Sequence, residues 1–201
     1  MMVRTGRPRA FDTQQALARA RDVFWSRGYG ATSIQDLVDE LGLQRGSIYA
    51  AFGDKRGLYL EAVALYAREN RERLEMMLRV DPMLPALRRM LVEPSALTGA
   101  SEEGQGRRGC LVGNTVAELV PGDDAAQALT AAAYDGVIEV LTAALTRGQA
   151  TGEITTTATP EAQAQLLLLL FQGSALVSRG KPESERFTAG IDAALNALRA
   201  R

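Results

Sequence analysis

Apolar side chains recur along this chain at helical spacing, and nowhere in the sustained alternation of strands. Ile34, Leu37, Val38 and Leu41 fall at i, i+3, i+4 and i+7, one face of a helix that Thr32 opens as N-cap, with Gln35 at its third position, and that Gly42 closes. The helix before it starts at Asp12, with Gln15 as capping partner, turns Leu17, Ala20 and Phe24 to one side and stops at Gly28. A short third helix, Gln44 to Phe52, has Ile48 and Phe52 as its inward pair. Gly53-Asp54 then breaks the chain, and Asp54 caps a long fourth helix from Lys55 to about Arg79. Its stripe is Leu58, Tyr59, Ala62, Val63, Tyr66, Leu74, Met77 and Leu78, and Asp81-Pro82 ends it. Further helices are predicted over 83–93, 110–120, 123–149, 160–178 and 184–199. The one β-prone stretch, Ile154 to Thr157, lies between Gly152 and Pro160 and reads as a loop. The predicted fold class is all-α.

The second and third helices form the informative unit. Two short helices joined at a glycine match the helix-turn-helix plan, in which the first braces the backbone and the second enters the major groove. A generic two-helix corner has the same periodicity. The outer face of the third helix carries Gln44, Arg45, Ser47, Tyr49 and Ala50. Glutamine and arginine can hydrogen-bond base edges, and Ser and Tyr hydroxyls reach phosphates and bases. Thr32 and Lys55, each at the start of a helix, are placed to hold phosphates.

Composition narrows the chemistry. The 201 residues include no histidine and one cysteine, Cys110. That excludes Ser–His and Cys–His catalysis, histidine metal sites, an internal disulfide and a cysteine zinc cluster. No metal and no cofactor is expected, and an enzyme is the weakest of the readings. Charge is uneven. Residues 1–56 hold nine basic against six acidic side chains, and the rest hold fourteen against eighteen, a basic head on an acidic body. A helical dimer acting only through protein partners is the rival reading, and it should show no salt-dependent affinity for DNA. The N-terminus is charged with no apolar stretch behind it, unlike a signal peptide, and the apolar run Leu166–Phe171 is too short to cross a bilayer. The expectation is a soluble, cytoplasmic protein with no membrane partner.

The stretch from Phe24 through Gly28-Tyr29-Gly30-Ala31-Thr32 to Ile34, then Leu41-Gly42-Leu43-Gln44-Arg45-Gly46-Ser47-Ile48-Tyr49-Ala50-Ala51-Phe52-Gly53-Asp54-Lys55-Arg56-Gly57-Leu58, resembles the head of TetR-family transcriptional regulators. The "G…T" entry, the "G-x-x-x-G-x-[LI]-Y-x-x-F" run and the "K-x-x-L" start of the fourth helix are all present. The resemblance implies a homodimeric DNA-binding regulator, usually a repressor, released from a palindromic operator when a small molecule binds the larger domain. It implies three parts: a basic arm over 1–9, a helix-turn-helix domain over 10–56, and a ligand-binding and dimerisation domain over 57–201. Gln44, Arg45, Ser47 and Tyr49 fall on positions the family uses against DNA, and Thr32, Tyr49 and Lys55 on phosphate-contacting ones. Where many members have a histidine or second tyrosine, this chain has Ala50-Ala51, so one polar backbone contact is missing. In the arm, Thr5-Gly6-Arg7-Pro8-Arg9 is extended at Pro8 and either presents Arg7 to a minor groove or is a solubilising tail.

In the body, Gly109 to Leu119 resembles a segment of a family subgroup, some of whose members sense electrophiles or oxidants through a cysteine. Arg107 and Arg108 beside Cys110, and a helix start there, favour the thiolate. Leu111 and Val112 argue instead for a buried, inert thiol. Asn114 and Thr115 either line a ligand cavity or satisfy nearby backbone. Met90 and Tyr134 join them as pocket candidates by position and polarity. Residues 160–178 contain five consecutive leucines, apolar on every side. A partner subunit covers the outer face most easily, and the family's dimer interface falls on 160–178 and 184–199.

Overall fold

The computed structural model describes residues 12–93, 108–120, 122–180 and 185–200, and of residues 185 and 186 the backbone alone. The arm 1–9, with Arg7, lies outside them. Among the described residues there are nine helices and no strand. They are α1 (Thr13–Arg27), α2 (Ile34–Leu41), α3 (Arg45–Phe52), α4 (Lys55–Met77), α5 (Leu84–Val92), α6 (Leu111–Leu119), α7 (Asp124–Thr151), α8 (Pro160–Gly180) and α9 (Glu185–Leu198). The chain divides into two compact units between Ala62 and Val63.

The first unit is built on aromatics. Asp12 caps α1 by accepting the N–H groups of Gln14 and Gln15 at 2.9 and 3.1 Å. The helix buries Ala16, Ala20, Val23, Phe24 and Trp25, while Leu17, expected on this face, is only half-buried. Phe24 meets Tyr59 edge-on at 4.9 Å between ring centroids, and Tyr29 lies 4.8 Å from Tyr59. Leu37, Ile48 and Leu58 close this core, all fully buried.

The second unit contains the rest of α4 and the helices α5 to α9. α7 and α8 make its most extensive pairing, with α6 against α7 and α9 against α5. Asp123 caps α7 and Thr159 caps α8, so both helices begin where the sequence placed them. The β-prone stretch is a loop clipped to the chain's end. Ile154 forms one bridge with Arg199, and the Thr155 N–H donates to the Leu198 carbonyl at 2.8 Å. Glu153 turns its carboxylate onto the N–H groups of Met83 and Leu84, at 2.9 and 2.8 Å, satisfying donors at the start of α5.

One helix bears on the membrane question by its average and not by any one run. Contiguous apolar runs are short, yet α7 as a whole reaches a mean hydropathy of 1.4 over eighteen residues, enough in length and composition to span a bilayer. Alanines spread along it raise the average. The helix buries Leu141, Ala144 and Leu145 and packs between α6 and α8, the environment of a core helix.

Candidate nucleic-acid interface and ligand cavity

The turn between α2 and α3 is fixed from both ends. Gly42 takes the left-handed conformation (φ 66°) after α2, where a side chain would cost about 1 kcal/mol. At the other end of α2 the N-cap is Ser33, not the expected Thr32. The Asp36 N–H donates to Ser33 Oγ at 3.1 Å, and the Ser33 N–H donates back to Asp36 Oδ2 at 2.7 Å, a reciprocal capping box. Hydrogen bonds from the Ser33 side chain and backbone, then the charge of Arg27, hold the Asp36 carboxyl below its ordinary 3.8. Arg19 of α1 donates to the carbonyls of Glu40 and Leu41 at the other end of α2, where a cation also suits the helix dipole.

On α3, Ile48 and Phe52 are buried as predicted, which fixes the rotation of the helix and so its outer face. Gln44 is the N-cap residue, but its side chain makes no capping bond. It is exposed, as are Arg45 and Ala50, while Tyr49 is 41% exposed and Ser47 half-buried. Gly46 has open space around it. Together they form a row of hydrogen-bonding side chains on a helix of small residues. Gly57, one turn into α4, locks this helix in place. A Cβ there would lie 2.2 Å from the Phe52 carbonyl oxygen, so the start of α4 approaches the end of α3 as only glycine allows.

Two expected phosphate contacts have other partners. Thr32 is buried, and its hydroxyl donates to the Gly28 carbonyl at 2.7 Å, closing the turn that follows α1. Lys55 is half-buried. Its Nζ donates to the carbonyls of Tyr29 and Thr32, at 3.0 and 2.8 Å, and sits 4.1 Å from the centre of the Tyr29 ring. The side chain ties the start of α4 to the loop before α2. Both residues shape the head from within.

The second unit encloses a narrow cavity. Its apolar walls include Leu74 and Met90, Val137 and Leu141, Leu168 and Phe171, and its polar groups come from Tyr66, Asn70, Cys110, Tyr134 and Gln172. The centre of a water-sized sphere can move through about 30 Å³ of it. Burial pushes the Tyr66 phenol well above its ordinary 10.0 and Tyr134 up to about 12, with Cys110 adding to both, so both hydroxyls stay neutral. Cys110 is the N-cap residue of α6, buried, and its Sγ accepts from Gln172 Nε2 at 3.6 Å. Of the sequence candidates, Met90, Cys110 and Tyr134 therefore meet at one cavity. Asn114 and Thr115 are not in its wall. Asn114 donates to the Arg108 carbonyl at 2.9 Å and accepts from Arg179 at 2.8 Å, and the Thr115 hydroxyl donates to the Leu111 carbonyl at 2.8 Å. Both stabilise the ends and turns of α6. Asn70 and Gln172 were missed. The available signal was a polar residue four positions from Tyr66 and four from Leu74, on a stripe otherwise apolar.

The head is thus a helix-turn-helix unit with its second helix displayed and its scaffold closed. Comparison with known proteins agrees. Residues 16–62 match the model of bacterial regulatory proteins of the tetR family, and residues 86–193 match the tetracyclin repressor-like C-terminal domain. The chain belongs to the TetR family of bacterial regulators, which are not enzymes. It is 34% identical over 119 residues to the uncharacterised HTH-type transcriptional regulator YezE of Bacillus subtilis, covering 59% of this chain but only 60% of that one. It is 30% identical over 184 residues to the transcriptional regulator AcuR of Cereibacter sphaeroides, covering 86% of this chain and 81% of that one. Among solved structures it is similar to the TetR-family regulator CifR, captured as a cysteine mutant on 26-bp double-stranded operator DNA. The TM-score is 0.76 at 32% identity, over 96% of this chain and 100% of CifR.

Proposed function

We propose that this chain is a cytoplasmic, homodimeric transcriptional repressor that binds a palindromic operator and leaves it when a small molecule occupies the cavity of the second unit. The observation that carries the reading is the outer face of α3, where Gln44, Arg45 and Tyr49 are exposed while Ile48 and Phe52 hold the helix from behind. Gln44 and Arg45 read base edges, and Ser47 and Tyr49 anchor to the backbone. Arg7 of the arm is the residue this reading assigns to a neighbouring minor groove. The division is a basic arm over 1–9, a reading head over 10–56 and a sensing and pairing body over 57–201. Support for dimerisation comes from α8, which leaves Leu169 and Leu176 about 70% exposed, with Leu166 and Val177 beside them at helical spacing. On α9 the exposed residues include Ala189, Gly190, Ala193 and Ala197, small enough for a neighbour's leucines to approach. Selection of bound sequences from random duplexes tests the whole reading. A two-fold symmetric motif is expected, with Arg45→Ala changing the base preference and Tyr49→Phe weakening all duplexes alike. An asymmetric motif, or none with wild-type salt dependence in both variants, refutes it.

Cys110 favours a second sensing route. Its Sγ lies in the cavity wall beside the Gln172 amide, so an electrophile reaching the cavity meets the chain's one thiol. Intact-mass analysis after treatment with an alkylating electrophile tests this. One adduct, absent from Cys110→Ser and accompanied by operator release, is expected.

A further inference from the structure

Between the later turns of α4 and α7 the surface of the second unit is cut by a groove that shares no lining residue with the cavity. The centre of a water-sized sphere ranges over about 290 Å³ there, against about 30 Å³ in the cavity. The floor is apolar. Leu78 and Ala144 are buried, Val140 is half-buried and Ala143 lies at the surface. An arginine spans each end. At one end the Arg71 guanidinium bonds Glu75 at 3.3 Å and Glu139 at 3.0 Å. It lies flat against α7 because Gly136 has no side chain; a Cβ there would stand 3.0 Å from Arg71 Nη1. At the other end Arg147 donates to the Leu78 carbonyl, just past the end of α4. That bond uses one of a guanidinium's five N–H donors. Arg79 stands on the same rim, exposed, and meets no carboxylate among the described residues. From Glu139 to Arg147, α7 advances about 12 Å at 1.5 Å per residue.

The charges of the groove do not cancel. Three arginines face two glutamates, and both glutamates are held by Arg71. The excess positive charge sits with Arg79 and Arg147, beside an apolar strip. A cation would be repelled there, a dianion would overcompensate next to Glu75 and Glu139, and a neutral molecule would leave the guanidiniums unused. We infer that this groove binds an organic monoanion, a carboxylate on an apolar tail. The carboxylate lies on Arg79 and Arg147, whose planar forks match its two oxygens, and the tail lies along Ala144, Ala143 and Val140 towards Arg71. The site is separate from the cavity and does not depend on what the cavity holds.

Hexanoate, 1-hexanol and hexyl phosphate share one tail and differ in head group. Each is titrated calorimetrically into the full-length protein at pH 8 and low salt, with acetate as the head alone. Hexanoate is expected to saturate one site per chain and to bind about tenfold tighter than hexanol or hexyl phosphate, while acetate shows no saturation. Two variants at exposed positions locate the site. Arg79→Gln is expected to weaken hexanoate about fivefold and to leave hexanol unchanged. Ala143→Glu sets a carboxylate on the floor of the groove, in a helix that accepts glutamate readily, and is expected to abolish hexanoate binding. Equal hexanoate affinity in the native protein and Ala143→Glu would put the ligand elsewhere, in the cavity or on the exposed leucines of α8, and overturns the assignment. Equal affinities for hexanoate and hexanol overturn it too, as does hexyl phosphate binding tightest or no saturation by hexanoate. Helicity is checked by circular dichroism, and if one variant fails to fold, the other decides together with the native ranking.

Discussion

Lys55→Met distinguishes a residue that builds the head from one that touches DNA. Methionine keeps most of the apolar stem and removes the ammonium. In the native head that ammonium donates to two carbonyls, of Tyr29 and Thr32, and lies over the Tyr29 ring. A hydrogen bond from a charged donor contributes about 1.5–3 kcal/mol, and a cation over an aromatic face about 0.5–1 kcal/mol at a partly exposed site. Lys55 is only half-buried, the three interactions share one group, and solvent recovers part of the loss. The expected destabilisation is therefore about 2–4 kcal/mol, a large fraction of a small unit's stability. Trp25 is the sole tryptophan and is buried in α1, so its fluorescence reports the first unit directly. At an m value of about 2 kcal/mol/M the urea midpoint falls by about 1–2 M.

A phosphate contact has a different signature. Loss of one such contact leaves the urea midpoint in place, weakens all duplexes equally, and lowers the slope of log affinity against log salt by about 0.9. A midpoint unchanged within about 0.2 M, together with that drop in slope, refutes the reasoning. Lys55→Arg sharpens the contrast. The guanidinium keeps the charge a phosphate needs but replaces the compact ammonium that fits between two carbonyls and a ring. It should restore the salt slope under the phosphate account and fail to restore the midpoint under ours.

The remaining predictions are shorter. Gly57→Ala forces a Cβ to within 2.2 Å of the Phe52 carbonyl unless backbone moves, and is expected to lose about 1–3 kcal/mol and much of the operator affinity by shifting α3. Unchanged affinity would mean that α3 tolerates the shift. Of the five tyrosines, Tyr66 and Tyr134 are held neutral by burial, so phenolate absorbance of the folded protein lags that of the unfolded chain above pH 10. Because their folded values are raised, the stability they contribute is complete below 10 and is lost at higher pH, for Tyr134 as the pH climbs from 10 towards 12. Coincident titration curves would count against a buried Tyr66. Leu169→Glu, on an outward face of α8, should leave helicity intact and give a monomer by light scattering. A persistent dimer would place the interface elsewhere.

What sequence could and could not disclose follows from the range of the interactions involved. The C-terminal end of α2 and the inward pair Ile48 and Phe52 depend on spacing and local capping, and both were legible. Thr32 and Ser33 offer the same hydroxyl one residue apart. Which of them caps is decided by which is drawn inward, and Thr32 is drawn in by a bond to Gly28. Lys55 reads as a free cation at a helix start until the carbonyls it meets, 26 and 23 residues away, are brought beside it. The leucine run shows the reverse. Its hydrophobicity was plain, but only the fold tells that Leu167 turns into the second unit and Leu169 out of it. Asn114 and Thr115 were chosen for being polar in an apolar helix, and short-range bonds to nearby carbonyls account for them. Asn70 has the same description and no such bond for its Oδ1, a difference that composition and spacing do not carry.

α8 joins the two halves of the proposed function. Leu168, Phe171 and Gln172 form cavity wall on one side, and Leu166, Leu169, Leu176 and Val177 are exposed on the other. A helix moves as one body, and a close-packed core transmits displacement instead of absorbing it. On the proposed reading, a ligand entering the cavity displaces the same helix that would pair the protomers, and the two equilibria are coupled. Linkage makes the coupling measurable from either side. If a cavity ligand weakens dimerisation by some factor, dimerisation must weaken its binding by the same factor, so a monomeric Leu169→Glu protein should bind that ligand more tightly than the proposed dimer. The direction is reversed if the ligand strengthens pairing, but the two factors must agree. Equal ligand affinity in monomer and dimer would show that α8 does not couple pairing to the cavity.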